Sequence, residues 1–154
     1  MAPYLLDEPW TPDLAREKAN NPVPKTDLDG DHGALALVIE HQLAPIGDVL
    51  LWLTDRVRRV AEIGWVLDPD YSGKGYATEA VQTVLDLAFD QYKVHRVSAH
   101  MDGRNTASAQ LAANAGMRHE AHLRQYWWNK GEWVDTVIYG MIGSDHGGTT
   151  AIKH

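Results

Sequence analysis

The chain has 154 residues, with 14 Lys and Arg against 21 Asp and Glu, and a formal net charge of −7. This length suffices for one domain with a real core, and the acidic balance argues against non-specific nucleic-acid binding and favours a cationic substrate. The absence of cysteine excludes a disulfide framework and a thiol nucleophile. No apolar run is long enough to span a bilayer and the first residues lack a signal-peptide pattern, so we expect a soluble, cytoplasmic protein that binds neither DNA nor membranes.

The first half of the chain predicts a short helix followed by strands. Thr11 and Pro12 are typical of a helix start, and the helix Asp13–Ala19 is stopped by the Asn and Pro residues after it. The next two apolar segments predict paired strands around a turn that contains Ala44 and Pro45. The strands predicted in this half are Ala34–Glu40, Ile46–Leu53 and Val60–Leu67.

The second half predicts two helices, one further strand and a hairpin. The elements in chain order are the helix Ala77–Tyr92, the strand Val94–Met101, the helix Asn105–Ala115, and the hairpin strands Glu120–Trp128 and Trp133–Ile142. Asn105 is a plausible N-cap of its helix, and Gly116 suits the position just after the helix. From Gly143 onward the apolar content is low, which predicts one domain over residues 1–142 and a mobile tail after it.

A glycine-punctuated turn lies between the third strand and the first long helix. Gly73 and Gly75 allow the backbone to turn tightly and to approach a ligand closely. The N–H groups of the first helical turn then favour an anion, and Lys74 adds a mobile positive charge. The turn therefore predicts a pyrophosphate cradle, although a Gly-x-Gly turn by itself is also typical of a plain helix entry.

Three short motifs follow one another around this turn. Residues 62–65 read Glu-Ile-Gly-Trp, residues 105–108 read Asn-Thr-Ala-Ser, and residues 114–117 read Asn-Ala-Gly-Met. In that order they resemble the GNAT acetyltransferases, which bind acetyl-CoA and acetylate amines, and most of all the branch that includes the ribosomal-protein alanine N-acetyltransferases. The resemblance covers Trp10 to Ile142. It implies acetyl-CoA as co-substrate, an amine as acceptor, and direct attack in a ternary complex.

The resemblance implies an α/β fold with a central mixed, mostly antiparallel sheet. In the family this sheet is splayed at a position that corresponds here to the gap between the strands Val60–Leu67 and Val94–Met101, and helices cover both faces. GNAT domains usually have a strand and a helix ahead of the segment that Trp10–Asn20 resembles, whereas this chain has nine residues there. We therefore expect an N-terminally shortened domain, the alternative being a true start that lies upstream, and this leaves Ala34–Glu40 as a candidate for an unpaired edge. A homodimer that covers this edge, the aromatic hairpin or both is expected.

The resemblance also assigns the co-substrate site. The backbone of Trp65, Val66 and Leu67 would bind pantetheine, and the N–H of Val66 would stabilise the tetrahedral oxyanion. Asn105 would contact CoA with the same side chain that caps its helix. The pyrophosphate pattern of the family falls on Ser72, Gly73, Lys74, Gly75, Tyr76 and Ala77, where Ser72 replaces the usual Gln or Arg and predicts weaker but retained CoA affinity.

Two residues are candidates for acid–base chemistry. Strand alternation places Glu62 on the same face as Gly64, beside the predicted gap, where it would take a proton from the amine. The alternative is a surface carboxylate or a partner for Arg96. By resemblance, Ser108 would protonate or hydrogen-bond the departing CoA thiolate, and the alternative is a small residue packed near Gly116.

The acceptor site is predicted at the final hairpin, where Trp128, Trp133 and Asp135 would line it. Core or dimer packing is the alternative for the aromatic residues, and plain solvation is the alternative for the carboxylate. The eight histidines are scattered, so no metal site is expected. Four functions stay open: acetylation of a protein N-terminus, acetylation of a small amine, a non-catalytic acyl-CoA-binding or regulatory domain, and an interaction module that keeps only the fold.

Overall fold

The computed structural model describes residues 26–30 and 33–146. The strands in chain order are Thr26–Asp27 (β1), Ala34–His41 (β2), Ala44–Asp55 (β3), Val60–Leu67 (β4), Arg96–Asp102 (β5), Arg118–Asn129 (β6) and Glu132–Ile142 (β7). They form one sheet in the order β1-β2-β3-β4-β5-β7-β6. The helix predicted over Asp13–Ala19 lies outside the described residues, and no helix in the described ranges is long and apolar enough to cross a membrane.

Strands β4 and β5 run parallel, and every other neighbouring pair is antiparallel. A parallel pair needs a long crossover connection. Here the connection is the helix Tyr76–Asp86 (α1), which continues into a π-helical turn over Leu87–Gln91. A second helix, Thr106–Asn114 (α2), links β5 to β6. The mixed, mostly antiparallel sheet predicted from the sequence is confirmed.

Both helices pack on one face of the sheet. Every second residue of β4 and β5 is buried there under the apolar stripe of α1, which is why these segments alternate in hydrophobicity. The residues at the centre of this layer are Ala61, Ile63, Val97, Ala99, Val81, Val84, Leu85 and Leu111. The same alternation turns Glu62, Ser98 and His100 to the opposite face.

The two central strands separate after a short stretch of pairing. Strands β4 and β5 pair at only three positions, which match Val60–Glu62 with residues 96–98. Beyond them β4 runs on to Leu67 alongside β3, and β5 runs on to Asp102 alongside β7. A gap therefore opens in the middle of the sheet toward the carboxyl ends of both strands, which confirms the predicted splay.

The hairpin between β2 and β3 turns earlier than predicted. Its tip is Gln42 and Leu43, both with positive φ (52° and 68°), so Ala44 and Pro45 belong to β3 rather than to the turn. Two consecutive residues with positive φ match the twist of an antiparallel hairpin. Pro45 is tolerated at the beginning of β3 because the register is irregular there and no ladder N–H is required.

Strand β2 has little cover on its outer side. β1 pairs with it only at Ala34 and Leu35. Within the described ranges, Ala36 to His41 have no strand beyond them. The expectation that Ala34–Glu40 is an unpaired edge is therefore wrong for Ala34 and Leu35, which pair with β1.

The chain after β7 differs from the expected tail in its first residues. Residues 143–146 form one helical turn, and His146 stacks on Phe89 with ring centroids 5.1 Å apart. Its Nε2 lies 2.7 Å from Oδ1 of Asp86, and Asp90 lies close to Nδ1. Ligand atoms of these three titratable residues fall within 4.8 Å of one another, but the imidazole already pairs with both exposed carboxylates and we assign no metal. The rest of the predicted tail lies outside the described residues.

The crowding between β3 and β4 generates a stability prediction. A Cβ on Gly47 would lie 2.3 Å from the carbonyl oxygen of Val66, whereas one on Gly64 would meet only the ring of Trp52, at 3.6 Å. We expect Gly47→Ala to lower the free energy of unfolding by about 1–3 kcal/mol, because the backbone of β4 must move. Gly64→Ala in the same ladder is the matched control and should change it by less than about 1 kcal/mol. Urea denaturation measures both variants, and equal effects would contradict the prediction.

Candidate active site

The gap is lined on one side by backbone groups of β4. The N–H of Asp68 donates to the carbonyl of Ile46 at 2.7 Å, and in an antiparallel ladder such bonded pairs recur at every second residue. Val66 is therefore turned to β3, while the N–H and C=O groups of Trp65 and Leu67 are directed into the gap. No strand of the described sheet pairs with them there. Because backbone polar groups require partners, this edge suits an extended ligand that carries amides.

The same alternation corrects one prediction. The N–H of Val66 cannot stabilise an oxyanion in the gap, since it faces β3. The N–H groups of Trp65 and Leu67 are the donors available to a ligand. The sequence pattern could not show which N–H groups of β4 face the gap, because this depends on the register between β4 and β3.

The glycine turn follows β4 and lies at the wide end of the gap, where β4 and β5 no longer pair. Gly73 and Gly75 have φ of 78° and 83°, and a Cβ at either position would meet nothing within 4 Å. Gly75 is the N-cap residue of α1 and has no side chain to cap the helix. The N–H groups of the first turn of α1 are thus left for an external acceptor. Ala77, in the first turn of α1, is buried in the core and holds the glycine turn against it.

Aromatic rings flank the turn. The ring of Tyr76 lies 4.9 Å from that of His41, and Nζ of Lys74 lies 5.7 Å from the centroid of Tyr71. The hydroxyl of Ser72 donates to the carbonyl of Pro69 at 2.9 Å, so Ser72 ends the 3₁₀ turn Pro69–Tyr71 rather than reaching outward. Sequence reasoning missed His41, because only the tertiary structure brings the β2–β3 hairpin to this turn.

Ser108 is held against β4 by a buried hydrogen bond. Oδ1 of Asn105 caps α2 by accepting from the N–H of Ser108 at 3.0 Å, which confirms the predicted N-cap. Nε1 of Trp65 donates to Oγ of Ser108 at 3.3 Å. The hydroxyl accepts from the indole, so its own hydrogen is left to donate to another group. Ser108 is therefore oriented beside the gap on the face that carries the helices.

Glu62 lies on the opposite face, with His100 beside it. Its Oε1 is 3.8 Å from Nε2 of His100, and that nitrogen is 3.4 Å from Oγ of Ser98. The side chains of Glu62 and His100 are 29% and 31% exposed. Arg96 pairs instead with Glu120 at 2.5 Å, a hydrogen bond that raises the pKa of Arg96. The alternative in which Glu62 serves as the partner of Arg96 is therefore wrong.

The two predicted acid–base residues do not touch each other. Ser108 approaches β4 from the helical face through Trp65, whereas Glu62 projects from the other face. The gap between β4 and β5 connects the two sides. A ligand that passes through the gap would meet Ser108 on one side of the sheet and Glu62 on the other.

A pocket of about 280 Å³ lies beside the carboxyl end of β5. It is lined by Gly103, Arg104, His122, Glu132, Trp133, Val134 and Asp135. Asp135 accepts from Nε2 of His122 at 2.7 Å and from the N–H of Gln125 at 2.9 Å. The hydrogen bond from His122, followed by that from Gln125, lowers the pKa of Asp135. Asp135 is therefore an organised carboxylate rather than a merely solvated one.

Arg104 ties this pocket to the end of β5. Its Nη2 donates to Oδ2 of Asp102 at 2.9 Å, and its Nη1 donates to Oε1 of Glu132 at 2.8 Å. The side chain of Asp102 is only 1% exposed. Burial acts to raise the pKa of Asp102, but the hydrogen bonds from Arg104 outweigh it, and the pKa is lowered. The pattern of the sequence did not single out Arg104, whose partners come from two separate segments.

The aromatic residues of the final hairpin are exposed. The rings of Trp128 and Trp133 meet edge to face at 5.3 Å, with 57% and 56% of the residues exposed. Core packing as the alternative for these two residues is therefore wrong. Trp133 lines the pocket, and Trp128 lies outside its lining. Tyr126 and Trp127 extend the exposed surface along β6.

Comparison with known proteins identifies the family. Residues 1–118 match the family model described as the acetyltransferase (GNAT) domain, and the chain belongs to this family. The uncharacterised N-acetyltransferase p20 of Bacillus licheniformis is 28% identical over 121 residues, which cover 79% of this chain and 68% of p20. The spermidine N(1)-acetyltransferase of Vibrio cholerae is 28% identical over 101 residues, 66% of this chain and 58% of that protein. The chain spans about half the length of two further relatives from Bacillus subtilis, 48% and 56%.

Solved structures share the fold. An acetyltransferase of the GNAT family from Bacillus anthracis superposes with a TM-score of 0.74 at 26% identity, over 92% of this chain and 81% of the other. Mycobacterium smegmatis RimJ, solved in complex with CoA-disulfide, superposes with a TM-score of 0.67 at 29% identity, over 78% and 61% of the two chains. The predicted family and fold are thereby confirmed.

Proposed function

We propose that this chain transfers an acetyl group from acetyl-CoA to a primary amine. The observation that carries this proposal is the gap between β4 and β5, which presents backbone amides along β4 and ends beside an open glycine turn. Pantetheine is an extended chain with two amides, and pyrophosphate is an anion that helix N-termini favour. The structure of RimJ with CoA-disulfide supports the same ligand for this chain.

The residues present fit such a ligand. Trp65 and Leu67 supply backbone donors and acceptors toward the pantetheine part, and the first turn of α1 supplies N–H groups toward the pyrophosphate. Gly73 and Gly75 keep this surface clear of side chains. Lys74 adds a positive charge at the rim, and the capping side chain of Asn105 lies beside Ser108.

The proposed reaction is a direct transfer with no acyl-enzyme. Glu62 takes a proton from the ammonium group of the acceptor, and the neutral nitrogen attacks the thioester carbon. Of the two N–H groups of β4 that face the gap, those of Trp65 and Leu67, one stabilises the developing oxyanion and the other donates to pantetheine. When the carbon–sulfur bond breaks, Ser108 donates a hydrogen bond to the leaving thiolate. The thiolate then takes up the second proton of the amine and leaves as the CoA thiol.

The pocket beside β5 is proposed as the acceptor site. Glu132 and Asp135 give it two carboxylates, and Trp133 offers an aromatic face to a cation. Arg104 and His122 hold these carboxylates in place. The spermidine acetyltransferase relative supports a small polycationic amine, whereas the likeness to RimJ supports a protein N-terminus. A panel of both acceptor classes distinguishes them.

The glycine turn generates a binding prediction. Gly75→Ala should weaken CoA binding, because the new Cβ projects into the open space that the pyrophosphate would occupy. Gly131→Ala is the matched control, since Gly131 has φ of 82°, similar open space, and a position in the β6–β7 hairpin. Calorimetric titration with CoA should show normal affinity for the control. Unchanged affinity in Gly75→Ala, or an equal loss in both variants, would remove the turn from the site.

The two acid–base residues generate a kinetic prediction. Glu62→Gln should lower kcat by roughly 10²–10⁴-fold for a lysine-like amine, with the loss eased at higher pH as the acceptor deprotonates itself. The loss should be much smaller for an α-amine, whose pKa of about 7.7–8.0 leaves part of it neutral. Ser108→Ala should lower kcat with little rescue by pH, because it acts on the leaving group.

Thiol release from acetyl-CoA measures these rates. Glu40→Gln is the control for the loss of one carboxylate, because Glu40 is an exposed residue on β2. This variant should keep the wild-type rate. Wild-type rates in Glu62→Gln and Ser108→Ala would show that both residues are structural. CoA binding without turnover by any amine would select the non-catalytic acyl-CoA-binding alternative.

We also propose a homodimer that buries the exposed aromatic residues of β6 in the hairpin. Tyr126 and Trp128 lie outside the pocket and form an exposed apolar surface of the kind that marks an interface. Sedimentation at tens of micromolar should show a dimer that the double substitution Tyr126→Gln/Trp128→Gln dissociates. Val57→Ser, which alters an exposed apolar residue in another turn, should leave it intact. A monomeric wild-type chain would contradict the proposal.

A further inference from the structure

His100 lies where β4 and β5 stop pairing, next to the proposed base. We propose that His100 is a positioning residue that receives the acceptor's proton from Glu62 and passes it to solvent. This inference rests on the proposed function, because it concerns the same transfer reaction. The sequence gives no local sign of it, since Glu62 and His100 lie on different strands.

The placement follows from the parallel register of the two strands. Glu62 is opposite Ser98, and His100 is two residues further along β5 on the same face. Oε1 of Glu62 and Nε2 of His100 are 3.8 Å apart. This distance is compatible with an ion pair and with proton transfer through one bridging water. About a third of each side chain is exposed, so the imidazole reaches solvent.

Two other carboxylates on this face have partners of their own. Glu120, from β6, is held by Arg96, and Asp102, from β5 itself, is held by Arg104. From β7, the residue opposite His100 is Ile138, which does not titrate. Glu62 is the carboxylate that lies 3.8 Å from Nε2 of His100.

The acceptor nitrogen loses two protons during the proposed transfer, and each of them has a defined route. The ammonium group of the acceptor loses a proton to the Glu62 carboxylate, and the neutral nitrogen forms the new carbon–nitrogen bond. Glu62 passes the proton to Nε2 of a neutral His100, and the resulting imidazolium releases it to water. The second proton of the nitrogen leaves with the CoA thiolate as the carbon–sulfur bond breaks. Glu62 is thus ionised again before the next acceptor binds.

The test is the ratio of kcat/KM between the wild-type chain and His100→Gln, measured with one amine so that the titration of the acceptor cancels. Glutamine keeps a hydrogen-bond donor near the position of Nε2 but does not titrate. We expect a ratio of about ten, a fraction of the effect of a general base. His119→Gln, which removes an exposed imidazole that contacts Tyr139, should give a ratio of one.

A second measurement separates transfer from structure. Added imidazole should restore activity to His100→Ala, since the site is open to solvent, and should not restore Glu62→Gln. A ratio of one, together with no rescue, would overturn the role of His100 while leaving the proposed function intact. Absence of turnover in the wild-type chain with every amine would overturn both.

Discussion

The incomplete pairing of β4 with β5 is the constraint on which the rest of the structure depends. Three register positions join the strands, and beyond them each strand keeps only its antiparallel neighbour. A sheet interior normally satisfies all of its backbone groups, so a row of N–H and C=O groups directed into a gap is left for water or a ligand to pair with. The crossover through α1 makes this possible, because it spaces the two parallel strands and places a helix N-terminus at the mouth of the gap.

In the proposed reaction, the gap divides the chemistry between the two faces of the sheet. On the helical face, Trp65 and Asn105 hold Ser108 in one orientation through buried hydrogen bonds. On the opposite face, Glu62 and His100 are partly exposed. Under this proposal, burial suits the group that meets the leaving sulfur, and exposure suits the groups that release protons.

Local pattern was sufficient for most of the fold. The period-two pattern of Val60–Leu67 and the helical stripe from Ala77 predicted elements that the structure contains, because both segments bury one face against the same core. The glycine turn and the Asn105 cap were also readable, since they depend on conformations that few other residues adopt. The turn of the β2–β3 hairpin was placed too late, because two residues without turn propensity, Gln42 and Leu43, take positive φ there.

The amino-acid sequence was sufficient to recognise the glycine turn and Glu62 from local pattern. The family and the candidate Ser108 came from the resemblance of its ordered motifs to the GNAT acetyltransferases. Only the tertiary structure decided which backbone groups face the gap, that Glu62 lies beside His100, and that Arg104 joins β5 to the final hairpin. These facts depend on the register between strands that are far apart in sequence. A shift of one residue in that register would turn every side chain of a strand to the other face, and no local pattern records it across β4 and β5.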